Sequence, residues 1–121
     1  MSASPLVLVA DDDEDIRDTV ALVLEDAGYG VAVARDGAEA LAVARARRPA
    51  LIILDLMMPT MDGVEFREHQ LRDPAIAGIP VLLFTAAGAH DLARTPGLAG
   101  LIAKPVRLTD LLDAVAAHAR A

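Results

Sequence analysis

Residues 51–63 read LIILDLMMPTMDG, a short apolar run that ends on one carboxylate, Asp55. Four consecutive apolar residues at 51–54 are typical of a strand that is buried on both faces of a sheet. A buried strand gains nothing from an unpaired carboxylate at its end. Asp55 is therefore predicted to act on something outside the sheet, and the sequence after it predicts a loop that leads into a helix at Gly63.

Three further apolar runs end on polar residues in the same way. Residues 6–10 lead into the acidic residues 11–13, a third run ends on Thr85, and a fourth ends on Lys104. If these strands lie parallel, their carboxyl ends gather two or three carboxylates, one hydroxyl and one ammonium at one edge of the sheet. That set of groups suits a divalent cation and a phosphoryl group.

The bulk composition limits the classes of protein to which the chain can belong. Its 121 residues suffice for one domain with its own core, and with 55% hydrophobic but only 2% aromatic residues, Ala, Val, Leu and Ile must fill that core. The lack of cysteine excludes disulfides, a thiolate nucleophile and cysteine zinc sites. A formal net charge of −7 argues against non-specific nucleic-acid binding. Since no apolar run approaches the ~20 residues that cross a bilayer, and no signal-peptide pattern is present, we expect no membrane association and a cytoplasmic location.

Short apolar runs alternate with helical stretches five times along the chain. Strands are predicted at residues 6–10, 30–34, 50–54, 81–84 and 100–103. Helices are predicted before Gly28, at residues 37–48 and 63–72, and at the C-terminus, where the expected buried positions are Leu108, Leu111, Leu112, Val115 and Ala119. Near-continuous apolar strands that alternate with helices imply a parallel sheet covered on both faces. With right-handed crossovers, the predicted fold is an α/β doubly wound five-stranded parallel sheet.

Two segments fit this pattern less well. Within residues 86–100, two glycines and a proline interrupt any helix, so only a short one at about residues 89–94 is expected. The helix predicted at residues 63–72 is poorly amphipathic, because Arg67 and Gln70 occupy positions that should be apolar.

The motifs at the four strand ends together resemble the receiver domain of two-component response regulators, the CheY-like family, over essentially the whole chain. In chain order they read VLVADDD at 7–13 with DIR at 15–17, LDLMMP at 54–59 with MDG at 61–63, TA at 85–86 and KP at 104–105. Each motif is weak alone, but all four in order at strand ends are specific. The resemblance implies one response regulatory domain over residues 1–121, with a flavodoxin-like (βα)5 receiver fold and a short or irregular fourth helix. It also implies a signalling module and not an enzyme.

The resemblance further implies a metal-dependent phosphoryl acceptor. Asp55 would receive a phosphoryl group from a sensor histidine kinase or a histidine phosphotransfer protein in a Mg²⁺-dependent reaction. Asp12 and Asp55 would be direct ligands of Mg²⁺, with Asp11 holding a bound water. The backbone carbonyl of Met57 would be a third protein ligand.

The same resemblance gives roles to two residues beyond the metal ligands. The Lys104 ammonium would contact the phosphoryl oxygens, and the Thr85 hydroxyl would donate to another oxygen once the phosphoryl group is present. The altered surface would then regulate a partner protein, with the chain a monomer or a phosphorylation-dependent dimer. One position departs from the family: Leu101 replaces the aromatic residue three positions before the lysine, so the usual rotamer-coupled readout lacks its partner. Reordering of residues 86–100 is a second expected route.

Several acidic and polar residues also have simpler interpretations. Asp13 and Asp62 stand where helices begin and are predicted to be caps, since aspartate is favoured there. Taken singly, Asp11 and Asp12 could also just begin a helix, and Thr85 could just end a strand. We assign no role to the three histidines.

Two other functions stay open from the sequence. A degenerate receiver would bind its partner without being phosphorylated. A Mg²⁺-dependent phosphohydrolase would use the Asp-x-Asp spacing of residues 11–13, as in haloacid-dehalogenase-like phosphatases, but 121 residues leave no room for the usual cap, and Asp55 would have no role. A stand-alone regulator is expected from the short flanks, although a receiver taken from a larger regulator would show the same core.

Overall fold

Five parallel strands form one sheet with helices on both faces. The computed structural model describes residues 4–85, 97–105 and 107–119. The strands are β1 Leu6–Ala10, β2 Gly30–Ala34, β3 Leu51–Leu54, β4 Val81–Thr85 and β5 Gly100–Ala103. The helices are α1 Glu14–Asp26, α2 Gly37–Arg47, α3 Gly63–Arg72 and α4 Leu108–His118.

The order of the strands across the sheet is β2-β1-β3-β4-β5, and every neighbouring pair is parallel. This arrangement confirms the predicted doubly wound sheet. The chain moves outward in one direction from β1 to β2 and in the other direction from β3 to β5, so the order reverses between β1 and β3. In open α/β sheets, ligands bind outside the carboxyl ends of the strands at such a switch point.

The predicted helix between the fourth and fifth strands, at about residues 89–94, lies outside the described residues. The helix labelled α4 here is therefore the C-terminal one. No helix in the described parts of the chain is long and apolar enough to span a membrane.

Each face of the sheet buries its own apolar cluster. Because side chains alternate along a strand, Leu8, Ile52 and Leu54 face α2 and α3, where Phe66 completes the cluster. The opposite face packs against α1 and α4 through a second set, which includes Val9, Leu24, Ile53, Phe84, Ile102, Leu111 and Val115. Each fully buried side chain of this size contributes about 1.5–3 kcal/mol. The aliphatic core that the composition predicts is confirmed, with one phenylalanine on each face.

Aspartates begin three of the helices. The side chain of Asp13 accepts from the backbone N–H groups of Asp15 and Ile16 at the start of α1, and Asp62 accepts from Glu65 N at the start of α3. The predicted cap roles of Asp13 and Asp62 are thereby confirmed. Such caps stabilise a helix by about 1 kcal/mol each. Asp36 caps α2 in the same way.

The structure corrects three predicted details. Leu108 is 52% exposed, whereas we expected it to be buried. It is the first residue of α4 and lies one turn before Leu111, the point at which the helix becomes buried. Helix α2 ends at Arg47, because Arg48 takes the left-handed conformation with φ 45°, and β3 begins at Leu51, one residue later than predicted.

The two polar residues on the inner face of α3, Arg67 and Gln70, are buried and form hydrogen bonds. Arg67 donates from Nη1 to Oε1 of Gln70 at 2.7 Å and from Nη2 to the carbonyl of Gly97 at 2.9 Å. Gln70 donates from Nε2 to the carbonyls of Ile76 and Ile79, both at 3.0 Å. Burial lowers the pKa of Arg67. The weak amphipathicity of this segment thus has a structural cause: its inner face ties α3 to the chain on either side of β4.

Candidate functional site

Backbone hydrogen bonds extend the sheet to the first polar residue after β1 and β3. Asp11 N donates to the carbonyl of Ala34 at 3.0 Å, and Asp55 N donates to the carbonyl of Ala10 at 2.9 Å. Both aspartates therefore stand on rigid backbone, on either side of the switch point between β1 and β3. The sheet itself fixes the backbone positions from which the two carboxylates project.

Three carboxylates meet at this point of the sheet. One oxygen from each of Asp11, Asp12 and Asp55 lies within 4.8 Å of the others. Asp11 and Asp55 are buried, and Asp12 is exposed to solvent. All-oxygen ligand sets suit hard divalent cations, and Mg²⁺ in particular takes one or two carboxylates and keeps several waters. The donor set and its exposed side fit that requirement.

Lys104 supplies a positive charge to the same cluster. Its Nζ lies 3.0 Å from Oδ2 of Asp11 and 3.5 Å from Oδ2 of Asp55. Partial burial would lower the pKa of Lys104, but the hydrogen bond to Asp11 and the charge of Asp55 outweigh it and raise the pKa above its usual value. The ammonium therefore stays charged across the physiological pH range.

The carboxyl group of Asp55 is held in an unfavourable environment. It is 4% exposed. Burial, followed by the charge of Asp11, raises the pKa of Asp55 from 3.8 to about 6, against the opposing effects of Lys104 and of the Met57 N–H, which donates to Oδ1 at 3.4 Å. At neutral pH the group is mainly ionised and so can act as a nucleophile, while each added positive charge nearby relieves its repulsion.

A cavity of about 590 Å³ opens above the carboxyl ends of the strands. It is lined by Asp11, Asp12, Asp13, Asp55, Met57, Thr85 and Lys104. All six residues that the sequence singled out for a site are therefore brought together around one cavity, and their individual roles stay predictions. Asp13 also reaches the cavity, although its carboxylate accepts hydrogen bonds from the first turn of α1.

Two glycines allow the loop after Asp55 to fold back against the site. Gly63 N donates to the carbonyl of Leu56 at 2.9 Å, and a Cβ at Gly63 would lie 2.7 Å from the Asp55 carbonyl oxygen. Gly37 N donates to the Met61 carbonyl at 2.8 Å, and a Cβ at Gly37 would lie 2.5 Å from the Met61 carbonyl oxygen. Any side chain at either position would displace the loop that carries Met57.

Two residues near the site were not identified as contributors from the sequence. Arg17 donates from Nη1 to the carbonyl of Asp11 at 3.2 Å, and its place in the DIR motif was the available signal. The ring of Phe84 lies beneath Lys104, with Nζ 4.9 Å from its centroid. Phe84 stands directly before Thr85 in a chain with two phenylalanines, which could have drawn attention to it. Periodicity alone shows that Phe84 is buried and does not show that it contacts Lys104.

Comparison with known proteins agrees with this geometry. The model of the family described as "Response regulator receiver domain" matches residues 7–116. A response regulator receiver protein of Anaeromyxobacter sp. is 39% identical over 108 residues, which are 88% of this chain and 45% of that protein. The DNA-binding dual master transcriptional regulator RpaA of Synechocystis sp. is 46% identical over 84 residues, 69% of this chain and 35% of that protein. The chain thus spans less than half the length of these two relatives.

A solved structure shows the same fold. The chemotaxis response regulator CheY4 of Vibrio cholerae superposes with a TM-score of 0.86 at 34% identity, over 94% of this chain and 98% of that one. Receiver domains are signalling modules that take phosphoryl groups from histidine kinases. With the match over residues 7–116, the flavodoxin-like sheet and the acidic cluster at its switch point, the chain belongs to the response regulator receiver domain family.

Proposed function

We propose that the chain is a phospho-acceptor switch in which Asp55 receives a phosphoryl group from a phosphohistidine. The donor would be a sensor histidine kinase or a histidine phosphotransfer protein. One observation carries the proposal: the carboxylate of Asp55 lies 3.5 Å from the Lys104 ammonium and beside the carboxylates of Asp11 and Asp12. The proposed nucleophile, the cation and the proposed metal ligands thus line the same cavity.

The proposed transfer forms one bond and breaks one. An oxygen of Asp55 forms a bond to phosphorus, the P–N bond of the donor breaks, and the imidazole nitrogen takes the electron pair. Because both the nucleophile and the phosphoryl oxygens carry negative charge, nearby positive charge must offset their repulsion. Lys104 supplies a fixed ammonium for the phosphoryl oxygens, and the hydroxyl of Thr85 donates to one of them after transfer.

The residues fit a resident Mg²⁺. The carboxylates of Asp11, Asp12 and Asp55 offer oxygens that lie close together. Asp12, Asp55 and the backbone carbonyl of Met57 would be the direct ligands, and Asp11 would hold a bound water. When bound, Mg²⁺ supplies a further offset to the charge that gathers on the phosphoryl oxygens. The exposure of Asp12 leaves one side of the cluster open to water.

The output of the switch would be a changed surface that a partner protein recognises. Leu101 is 42% exposed on β5, so an aliphatic side chain stands at the position where the family's aromatic switch operates. Reordering of residues 86–100 falls mostly on residues outside the described parts of the chain. The burial of Asp55 beside the carboxylate of Asp11 supports phosphorylation over a phosphorylation-independent binding module, because a pure binding surface needs no buried like-charge cluster.

The direct test is phosphorylation by a small donor. Incubation with acetyl phosphate and Mg²⁺ should form a phosphorus bond to Asp55 with release of acetate, and intact mass measurement should show one added phosphoryl group. Asp55→Asn should add none. Asp73→Asn is the matched control, because Asp73 pairs with Arg45 away from the cavity and should leave phosphorylation unchanged. A wild type that gains no mass, or an Asp55→Asn variant that gains as much, would disprove the proposal.

A further inference from the structure

The ammonium of Lys104 reaches its carboxylate partners by crossing a strand. Lys104 follows β5, and its N–H donates to the carbonyl of Thr85 at 3.0 Å, which fixes its backbone at the end of β4. In the order β1-β3-β4-β5, Asp55 and Asp11 stand two and three strands away. At a spacing of about 4.8 Å between strands, these are distances of roughly 10 and 14 Å between backbones. The side chain must therefore extend over the carboxyl end of β4.

Phe84 lies directly beneath this extended side chain. It pairs with Ile102 across β4 and β5, so alternation places its ring on the face that Ile102 and, two residues on, Lys104 also share. The ring is 1% exposed and packs with Val20. Lys104 Nζ lies 4.9 Å from its centroid, within the ~6 Å at which the face of an aromatic ring attracts a cation.

Space for an alternative position of the Lys104 side chain adjoins the ring. A largely apolar cavity of about 320 Å³ adjoins Phe84 and Lys104. Its walls are Asp15, Ile16, Thr19, Val20 and Pro105. The exposed carboxylate of Asp15 could attract Lys104 away from Asp55 if the side chain fell into this space. A ring that fills the space beneath the lysine and attracts its charge opposes that movement.

We propose that Phe84 is a positioning residue that holds the Lys104 ammonium over the acceptor carboxylate during phosphoryl transfer. The inference rests on the proposed function of Asp55. Phe84 does not contact the reacting atoms and acts only through Lys104. An aliphatic side chain could fill part of the same volume but would lack the negative face of the ring, so the two contributions can be separated by substitution.

The test compares second-order rates of phosphorylation by acetyl phosphate in saturating Mg²⁺, with each rate corrected for the folded fraction. Phe84→Leu, or Phe84→Met if the leucine variant does not fold, should slow the reaction about 2- to 30-fold, the range that corresponds to a cation–π contact. Phe84→Tyr keeps the ring and should stay within about twofold of the wild type. Phe66→Leu removes the same atoms from the opposite face of the sheet and is the matched control, expected to leave the rate unchanged.

A double-mutant cycle separates positioning from a general loss of structure. In a Lys104→Gln background, Phe84→Leu should cause no further loss of rate, because the group that it positions is gone. The ε-protons of Lys104 should also show an upfield ring-current shift in the wild type that Phe84→Leu removes. If the wild type is phosphorylated, any of three results would overturn this inference alone. These are an unchanged rate in Phe84→Leu, additive losses of rate in the cycle, or no ring-current shift. A wild type that accepts no phosphoryl group would overturn the proposed function, and this inference with it.

Discussion

Replacing Asp55 with asparagine should stabilise the protein in EDTA at neutral pH, although it removes the proposed acceptor. The ionised carboxylate is buried beside Asp11, and these two effects raise the pKa of Asp55 from 3.8 to about 6. Each pKa unit corresponds to ~1.4 kcal/mol, so the ionised group costs the folded state up to about 3 kcal/mol. Asparagine removes that charge, while Lys104 keeps Asp11 as a partner at 3.0 Å. A net gain of about 2–3 kcal/mol is expected.

The sign of the pH dependence follows from the direction of this shift. A raised pKa means that the folded state binds the proton more tightly than the unfolded state. The contribution of Asp55 to stability is therefore fully present below pH 3.8, is lost as the pH rises to about 6, and stays lost above it. The advantage of Asp55→Asn should accordingly be small near pH 4 and complete near pH 7.5.

Urea unfolding followed by circular dichroism at both pH values, in EDTA, measures the two free energies of unfolding. Asp73→Asn is the matched control with the opposite sign, because the hydrogen bond from Arg45 lowers the pKa of Asp73. Its substitution should destabilise the protein at pH 7.5. An Asp55→Asn variant that is less stable than the wild type at pH 7.5, or a difference that does not change with pH, would refute the reasoning.

Three further substitutions test the loop and the helix that support the site. Thr60→Gly should raise the melting temperature, with a gain of roughly 1 kcal/mol, since a β-branched residue at φ 67° is strained. Gly63→Ala should lower the free energy of unfolding by about 1–3 kcal/mol and slow phosphorylation by acetyl phosphate, because its Cβ would meet the Asp55 carbonyl at 2.7 Å. Arg67→Met should cost about 1–3 kcal/mol in urea unfolding, because the buried Oε1 of Gln70 loses the hydrogen bond that Arg67 donates.

Local signals in the sequence were sufficient for most of the fold. Each strand is a short apolar run, and three of the four described helices begin at aspartates whose cap roles depend on only three or four consecutive residues. The gathering of Asp11, Asp55 and Lys104 also followed, since parallel strands must bring their carboxyl ends to one edge. The sequence could not predict the distances between these groups, such as the 3.0 Å from Lys104 Nζ to Asp11 Oδ2.

The remaining features depend on contacts between elements that are distant in the chain. Arg67 and Gln70 look misplaced on a helix until the carbonyls of Gly97, Ile76 and Ile79 are brought to them. In the sequence Phe84 has the pattern of an ordinary core residue. Its contact with Lys104 depends on the position of β5 beside β4. Periodicity reports which face of an element is buried, and it does not report what that face meets.

The charges of the site link its stability to its ligand. Three carboxylates against the one ammonium of Lys104 leave a formal charge of −2 at the switch point, which a divalent cation would neutralise. A ligand that binds only the folded state at 100 times its dissociation constant stabilises that state by ~2.7 kcal/mol. A gain of that size would be comparable to the cost of about 3 kcal/mol for ionised Asp55, so a bound cation would offset much of the stability lost by clustering the acids. The stability advantage of Asp55→Asn should therefore shrink or vanish in saturating Mg²⁺, because the variant has lost one of the ligands through which the wild type regains it.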